Sequence, residues 1–307
     1  LAPAQALPPE IQEPLKASPY AEELLTESET EAYLAGLAAL HPGLVRKAPP
    51  SSPERTNDRP REPLVHAFGQ SITYIRIYEP DAGEQAIIEA RATPGLVVDL
   101  RYLRARHLGQ TRLLMDALGG PSELDRAEGS SPVKTKGKAG SLTAGPDMRA
   151  DPPAFGEARD HPLFVLVNGQ TAGPFEAVLD HLQARGDVIL IGTPTAGRTG
   201  AYETIAATGY EVLIGEVLGH GGRSLVGQGL EPQIQTGVEA RDDYHAYHAV
   251  EQGVELSAMV DASLPPLDSD ENGDNGTNGD ALGAQDETLQ RALEVIVALQ
   301  VLGRLPR

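Results

Sequence analysis

Between Ser71 and Gly192 short apolar runs alternate with helical patterns, and this order leaves few folds open to the chain. SITYIRIYE (71–79), GLVVDLR (95–101), LFVLVNG (163–169) and DVILIG (187–192) read as strands, since β-branched and aromatic residues suit a pleated, buried surface. DAGEQAIIEARA (81–92), TRLLMDALGG (111–120) and the segment from Pro174 to Arg185 read as helices between them. Strands joined through helices require βαβ units on a largely parallel sheet, so the class is α/β. YETIAATGYEVLIGEVLGHGGRSLVG (202–227) departs from the pattern: two β-runs and a glycine-rich turn predict a small antiparallel appendage. DETLQRALEVIVALQVL (286–302) is an amphipathic helix.

The flanks divide the chain. Residues 1–19 form a Pro- and Ala-rich arm, AEELLTESETEAYLAGLAALHPG (21–43) predicts one or two short helices, and APPSSPERTNDRPREP (48–63) is a linker by composition. The expected division is residues 1–65 as arm, helices and linker, and residues 66–307 as one domain carrying an acidic insertion at about 239–283. Residues 239–287 hold 13 acidic residues against the single Arg241, so this stretch supplies -12 of a net charge of -19 and is expected to be a solvated surface. Such a field repels polyanions and argues against nucleic acid as a partner. No run approaches the ~18–20 apolar residues a bilayer span needs. There is no Cys, which removes disulfides, thiolate metal sites and a thiol nucleophile.

YIRI (74–77), VVDLR (97–101), FVLVNG (164–169), ILIGTPTAGRTG (189–200), GRSLVGQGLEP (222–232) and DETLQRALE (286–294) stand in the order found in another group of proteins. Together they resemble the peptidase domain of the carboxyl-terminal processing, or tail-specific, serine proteases, whose fold is crotonase-like. The resemblance covers roughly residues 70–300 and implies a serine nucleophile, a lysine of lowered pKa as general base, and backbone N–H groups holding the oxyanion.

The parts of that machine are altered together. Family members follow VNG with a phrase like TASASE, whose first Ser attacks; this register reads Thr171, Ala172, Gly173, Pro174, Phe175, Glu176, with Gly173 at the nucleophile position. The phrase GEKTFGKGSVQ aligns with Gly192–Tyr202, placing Arg198 at the lysine position and Tyr202 at the supporting glutamine. A guanidinium, with a pKa above about 12, can hold an anion but not accept a proton near neutrality. The glycine-rich DLRNNPGG turn appears as DLRYLRARHLGQ, with Tyr102 to Arg106 in place of turn glycines. Gly173-Pro174-Phe175-Glu176 is also a good helix start, with Pro at the first helical position and Glu176 able to bond back to the cap. Thr171 is the nearest hydroxyl, and capping is the commoner use of a threonine there.

Two further segments bear on metals. DSDENGDNGTNGD (268–280) starts like a calcium loop at Asp268, Asp270, Asn272 and Gly273, but Gly279 stands where a bidentate Glu belongs, so it reads as an acidic loop with calcium as the alternative. DDYHAYHAVE (242–251) would align Asp242, His245, His248 and Glu251 along one helical stripe, read as a polar face rather than a metal site. The family's peptide-gripping PDZ domain usually precedes the YIRI strand, and the chain between the N-terminal helices and that strand is too short for one.

The expectation is a non-catalytic member of the family that binds a peptide or protein C-terminus at Gly173, Arg198 and Thr171 and needs no cofactor. It would act as a scaffold, with a homo-oligomer or assembly partner open. The resemblance implies a bacterial periplasmic or extracellular location. The related interphotoreceptor retinoid-binding proteins keep an apolar ligand as a subsidiary possibility. The alternative is an active serine-type peptidase with an atypical nucleophile, or one completed by a partner chain.

Overall fold

A computed structural model describes residues 27–41, 43–47, 61–105, 108–119, 149–150, 160–205, 208–260 and 285–306. Its centre is a six-stranded sheet in the order β10-β7-β6-β4-β3-β2. The strands are β2 (Leu64–Phe68), β3 (Ile72–Arg76), β4 (Gly95–Asp99), β6 (Leu163–Val167), β7 (Val188–Gly192) and β10 (Ile234–Gln235). All neighbours run parallel except β2 and β3, which form a hairpin at one edge.

The strands β4 and β6 are buried at every residue, which is why their sequences are continuous apolar runs rather than alternating ones. Alternate side chains enter two separate cores. Ile75, Leu96, Val98, Val165 and Leu190 pack beneath α2 (Glu84–Glu89), α3 (Leu108–Gly119) and α4 (Phe175–Arg185). Tyr74, Val97, Phe164, Leu166 and Ile191 pack on the other face under α5 (Ala240–Ala249) and α6 (Glu287–Val301). A helix layer on each face follows from parallel strands joined by crossovers.

A smaller sheet holds β1 (Val45–Lys47), β5 (Arg149–Ala150), β8 (Gly200–Ile205) and β9 (Tyr210–Val217). β1 and β8 pair with β9 antiparallel, the appendage expected from residues 202–227. The helix α1 (Glu27–Leu40) seats Leu34 against Val45 and Val212 of this sheet.

One expectation is corrected. The acidic stretch beginning at 239 is not a solvated insertion over its described part: Ala246, Tyr247, Ala249, Leu256 and Met259 lie in the second core, and Asp243 is buried. Its charge hides an apolar stripe that covers the sheet. The calcium candidates Asp268, Asp270 and Asn272 fall outside the described residues.

Candidate functional site

The C-terminal ends of β4, β6 and β7 bring the expected positions together. β4 runs into Leu100–Ala105, β6 into Asn168–Gly173, and β7 into Thr193–Thr199. Residues 103–105 lie beside Ala172 as a short parallel bridge, with Ala172 N–H donating to Leu103 O (2.9 Å) and Ala105 N–H to Ala172 O (2.8 Å).

This bridge decides what position 173 can hold. Gly173 has φ +150°, a region L side chains rarely adopt, and a Cβ built there would lie 2.9 Å from Ala105 O and 3.0 Å from Ala105 Cβ. The room a nucleophile's side chain would need is occupied by the chain that replaces the turn glycines.

The carboxylate of the fully buried Glu176 gathers the surrounding N–H groups. Oε1 accepts from Gly173 N (3.0 Å) and Arg198 N (2.9 Å); Oε2 accepts from Gly197 N (2.8 Å) and from Thr195 Oγ1. Burial pushes the Glu176 carboxyl up, and these donors oppose that rise. The predicted cap at Gly173 therefore forms, and the same side chain also holds the loop bearing Arg198. Gly197 sits at φ +65°, where a Cβ would lie 2.6 Å from Leu225 O, so this loop rests directly on the GRSLVGQGLEP segment. Thr195 Oγ1 accepts from Leu230 N at 2.8 Å and ties the two together.

Two of the expected binding positions are corrected by this arrangement. The N–H of Gly173 is taken internally rather than offered to a ligand. Thr171 is fully buried, its hydroxyl donating to Leu100 O and accepting from Asn168 N, both at 3.0 Å, so it serves the turn between strand and helix. Tyr202, at the supporting-glutamine position, is engaged elsewhere. Its hydroxyl donates to Gly43 O (2.8 Å) and its ring lies under the Arg46 guanidinium (3.5 Å), anchoring the N-terminal region to the small sheet.

Arg198 is exposed. Partial burial lowers its pKa first, and the positive charges of Arg46 and Arg104 lower it further. A guanidinium would still have to fall from above about 12 to near 7 to serve as a base. Arg46 and Arg104 therefore lie near enough for their charges to act on Arg198. Arg46 is paired with Glu211 (2.9 Å), and the exposed Arg104 donates to the neutral Gln170 Oε1.

At the end of β4 lies a buried ion cluster that no local motif announces. Arg101 donates to Asp99 Oδ2 (2.8 Å), Asp243 Oδ1 (2.9 Å) and both Asp286 oxygens (2.9 and 2.6 Å). Burial alone would raise the Asp99 carboxyl; Arg101, by charge and hydrogen bond, and Arg76 outweigh it and hold Asp99 below its ordinary range. Asp286 also caps α6 by accepting from Leu289 N (3.0 Å). Tyr102, at φ +62°, donates its hydroxyl to Asp243 Oδ2 (2.8 Å), as does Asn168 Nδ2 (2.7 Å). The Asp242, His245, His248, Glu251 stripe lies on α5 and its following turn, where His248 bonds Glu251 at 3.0 Å. Among the described residues no cluster of three or more His, Asp or Glu side chains could hold a metal, and no helix is long and apolar enough to cross a membrane.

The model of Peptidase family S41 matches residues 71–236, more than half of the chain. No curated protein matches it. Among solved structures, a photosystem II D1 C-terminal processing protease aligns at 14% identity and TM-score 0.39, covering 62% of this chain and 54% of that one. A lipoprotein from Streptococcus agalactiae aligns at 14% identity and TM-score 0.42, covering 79% of this chain and 86% of that one. The chain thus spans about half the length of the processing protease.

Proposed function

Because this chain belongs to peptidase family S41, we propose that it is a pseudoprotease: a non-catalytic member that binds the C-terminal segment of a peptide or protein as a scaffold. The observation that carries this reading is at Gly173, where no side chain stands and Ala105 O closes the space one would enter. Without a hydroxyl there, and with a guanidinium at position 198, the serine–lysine route to an acyl-enzyme is not available. The exposed Arg198 with Arg104 beside it suits a carboxylate, which an arginine can hold by two parallel hydrogen bonds. The export of kin in this family supports a location outside the cytoplasm.

Fluorescence anisotropy of a labelled, unstructured peptide with a free C-terminal carboxylate tests the proposal. Saturable binding is expected, weakened about tenfold by C-terminal amidation or by Arg198→Ala, with the peptide recovered intact. Equal binding of the amidated peptide would contradict the carboxylate assignment. Cleavage of the peptide would favour the alternative, an active peptidase with an atypical nucleophile.

A further inference from the structure

A concavity of about 770 Å³ opens beyond the carboxyl ends of β4, β6 and β7 and is bounded on its far side by the start of α5. It lies to one side of Gly173, Glu176 and Arg198, none of which lines it. In open parallel sheets the crevice outside the strands' carboxyl ends is where ligands bind, and this volume suits a small organic molecule.

The lining sets the chemistry of the occupant. Tyr102 and Tyr244 form an aromatic corner, their rings 6.0 Å apart at 79°. Tyr102 is rigid, since its hydroxyl is held by Asp243 and its ring packs on Tyr247 at 4.6 Å. It also occupies a left-handed backbone conformation, a costly state for a non-glycine residue and one that often marks a functional constraint. Tyr244 leaves half of its surface to solvent, giving a planar guest a face to stack on.

The one carboxylate in the lining, Asp243, is already engaged by Arg101, Tyr102 and Asn168. The exposed Arg104 and Arg241 are the cations of the rim, and neither meets a carboxylate among the described residues. An occupant must therefore bring an aromatic body for the corner and a negative charge for the rim. We infer that this cavity binds a small aromatic carboxylate, at a site separate from the peptide cleft.

The protein contains no Trp, so the emission of added N-acetyl-tryptophan, excited beyond the tyrosine band, reports binding without background. A saturable change is expected with the wild-type protein, about tenfold weaker for the uncharged N-acetyl-tryptophanamide. Arg241→Ala and Tyr244→Ala, both at exposed positions, are each expected to weaken binding about five- to tenfold while leaving the urea unfolding midpoint in place. Arg198→Ala is expected to leave it unchanged, which separates this site from the peptide cleft. The inference is overturned if wild-type protein gives no saturable change, if the amide binds equally, or if Arg198→Ala abolishes binding while Arg241→Ala does not.

Discussion

Two buried carboxylate centres sit beyond the ends of the parallel strands, and they solve the same desolvation problem in opposite ways. Asp99, with Asp243 and Asp286, is met by the Arg101 guanidinium, so counter-charge outweighs burial and its carboxyl is held down. Glu176 is met by three backbone N–H groups and a hydroxyl, so burial wins and its carboxyl is pushed up. The first centre staples β4 to α5 and α6, segments more than 140 residues apart in sequence. The second fastens one helix start to one loop. The framework therefore depends on full charges locked away from water, and the cleft depends on neutral donors close to a solvent-facing cation.

Breaking the first centre should cost most. Arg101→Met strands three carboxylates in the core, and a loss of about 3–5 kcal/mol is expected from the urea midpoint. Next comes Glu176→Ala, which leaves three N–H groups and the Thr195 hydroxyl without their acceptor. About 2–3 kcal/mol is expected, together with weakened peptide binding, because the loop that aims Arg198 is released. Gly173→Ser is third: the left-handed φ and the contact with Ala105 O should cost about 1–3 kcal/mol, and a chromogenic peptide should remain uncut by this variant. Turnover by Gly173→Ser would show that position 198 or a neighbour can act as base after all.

The smallest effect is in pH dependence, and here the two centres have opposite signs. The folded-state pKa of Asp99 is lowered, so its contribution is present above its ordinary value of 3.8 and is lost as pH falls through the folded value. The folded-state pKa of Glu176 is raised, so its contribution is present below its ordinary value of 4.5 and is lost as pH rises through the folded value. Unfolding free energies measured above pH 4.5 should therefore show a falling component, of at most about 1.4 kcal/mol per pH unit, that Glu176→Gln removes. A Glu176→Gln profile parallel to wild type would put the carboxyl's folded pKa at its ordinary value.

Much of the framework was legible because its residues carry local signals. The strands β4 and β6 are buried on both faces, which makes them unbroken apolar runs, and Glu176 was readable as a cap from the Gly-Pro-Phe-Glu order. β2 was missed because it is an edge strand behind Pro63, with Val65 and His66 partly open to solvent. The segment from Ala240 to Met259 was misjudged because its charge count outweighed its buried Ala246, Tyr247 and Leu256. Asp243 looks like any solvated acid until Arg101 is folded against it. Long-range partners of this kind leave no spacing to read. The alteration at Tyr102–Arg106 was visible as residue types, but that Ala105 would fill the nucleophile's room is a matter of backbone path. The family assignment rests on the match over residues 71–236, while the binding role is a proposal argued from the exposed Arg198 and the closed space at Gly173.

The most direct test of a cleft that grips without cutting is fluorophosphonate labelling of the purified protein, followed by mass spectrometry of an unfolded substrate incubated with it. The account predicts no covalent adduct and an undegraded substrate, with Thr171→Ala indistinguishable from wild type. An adduct on a single hydroxyl, lost with Thr171→Ala together with peptide cleavage, would contradict it.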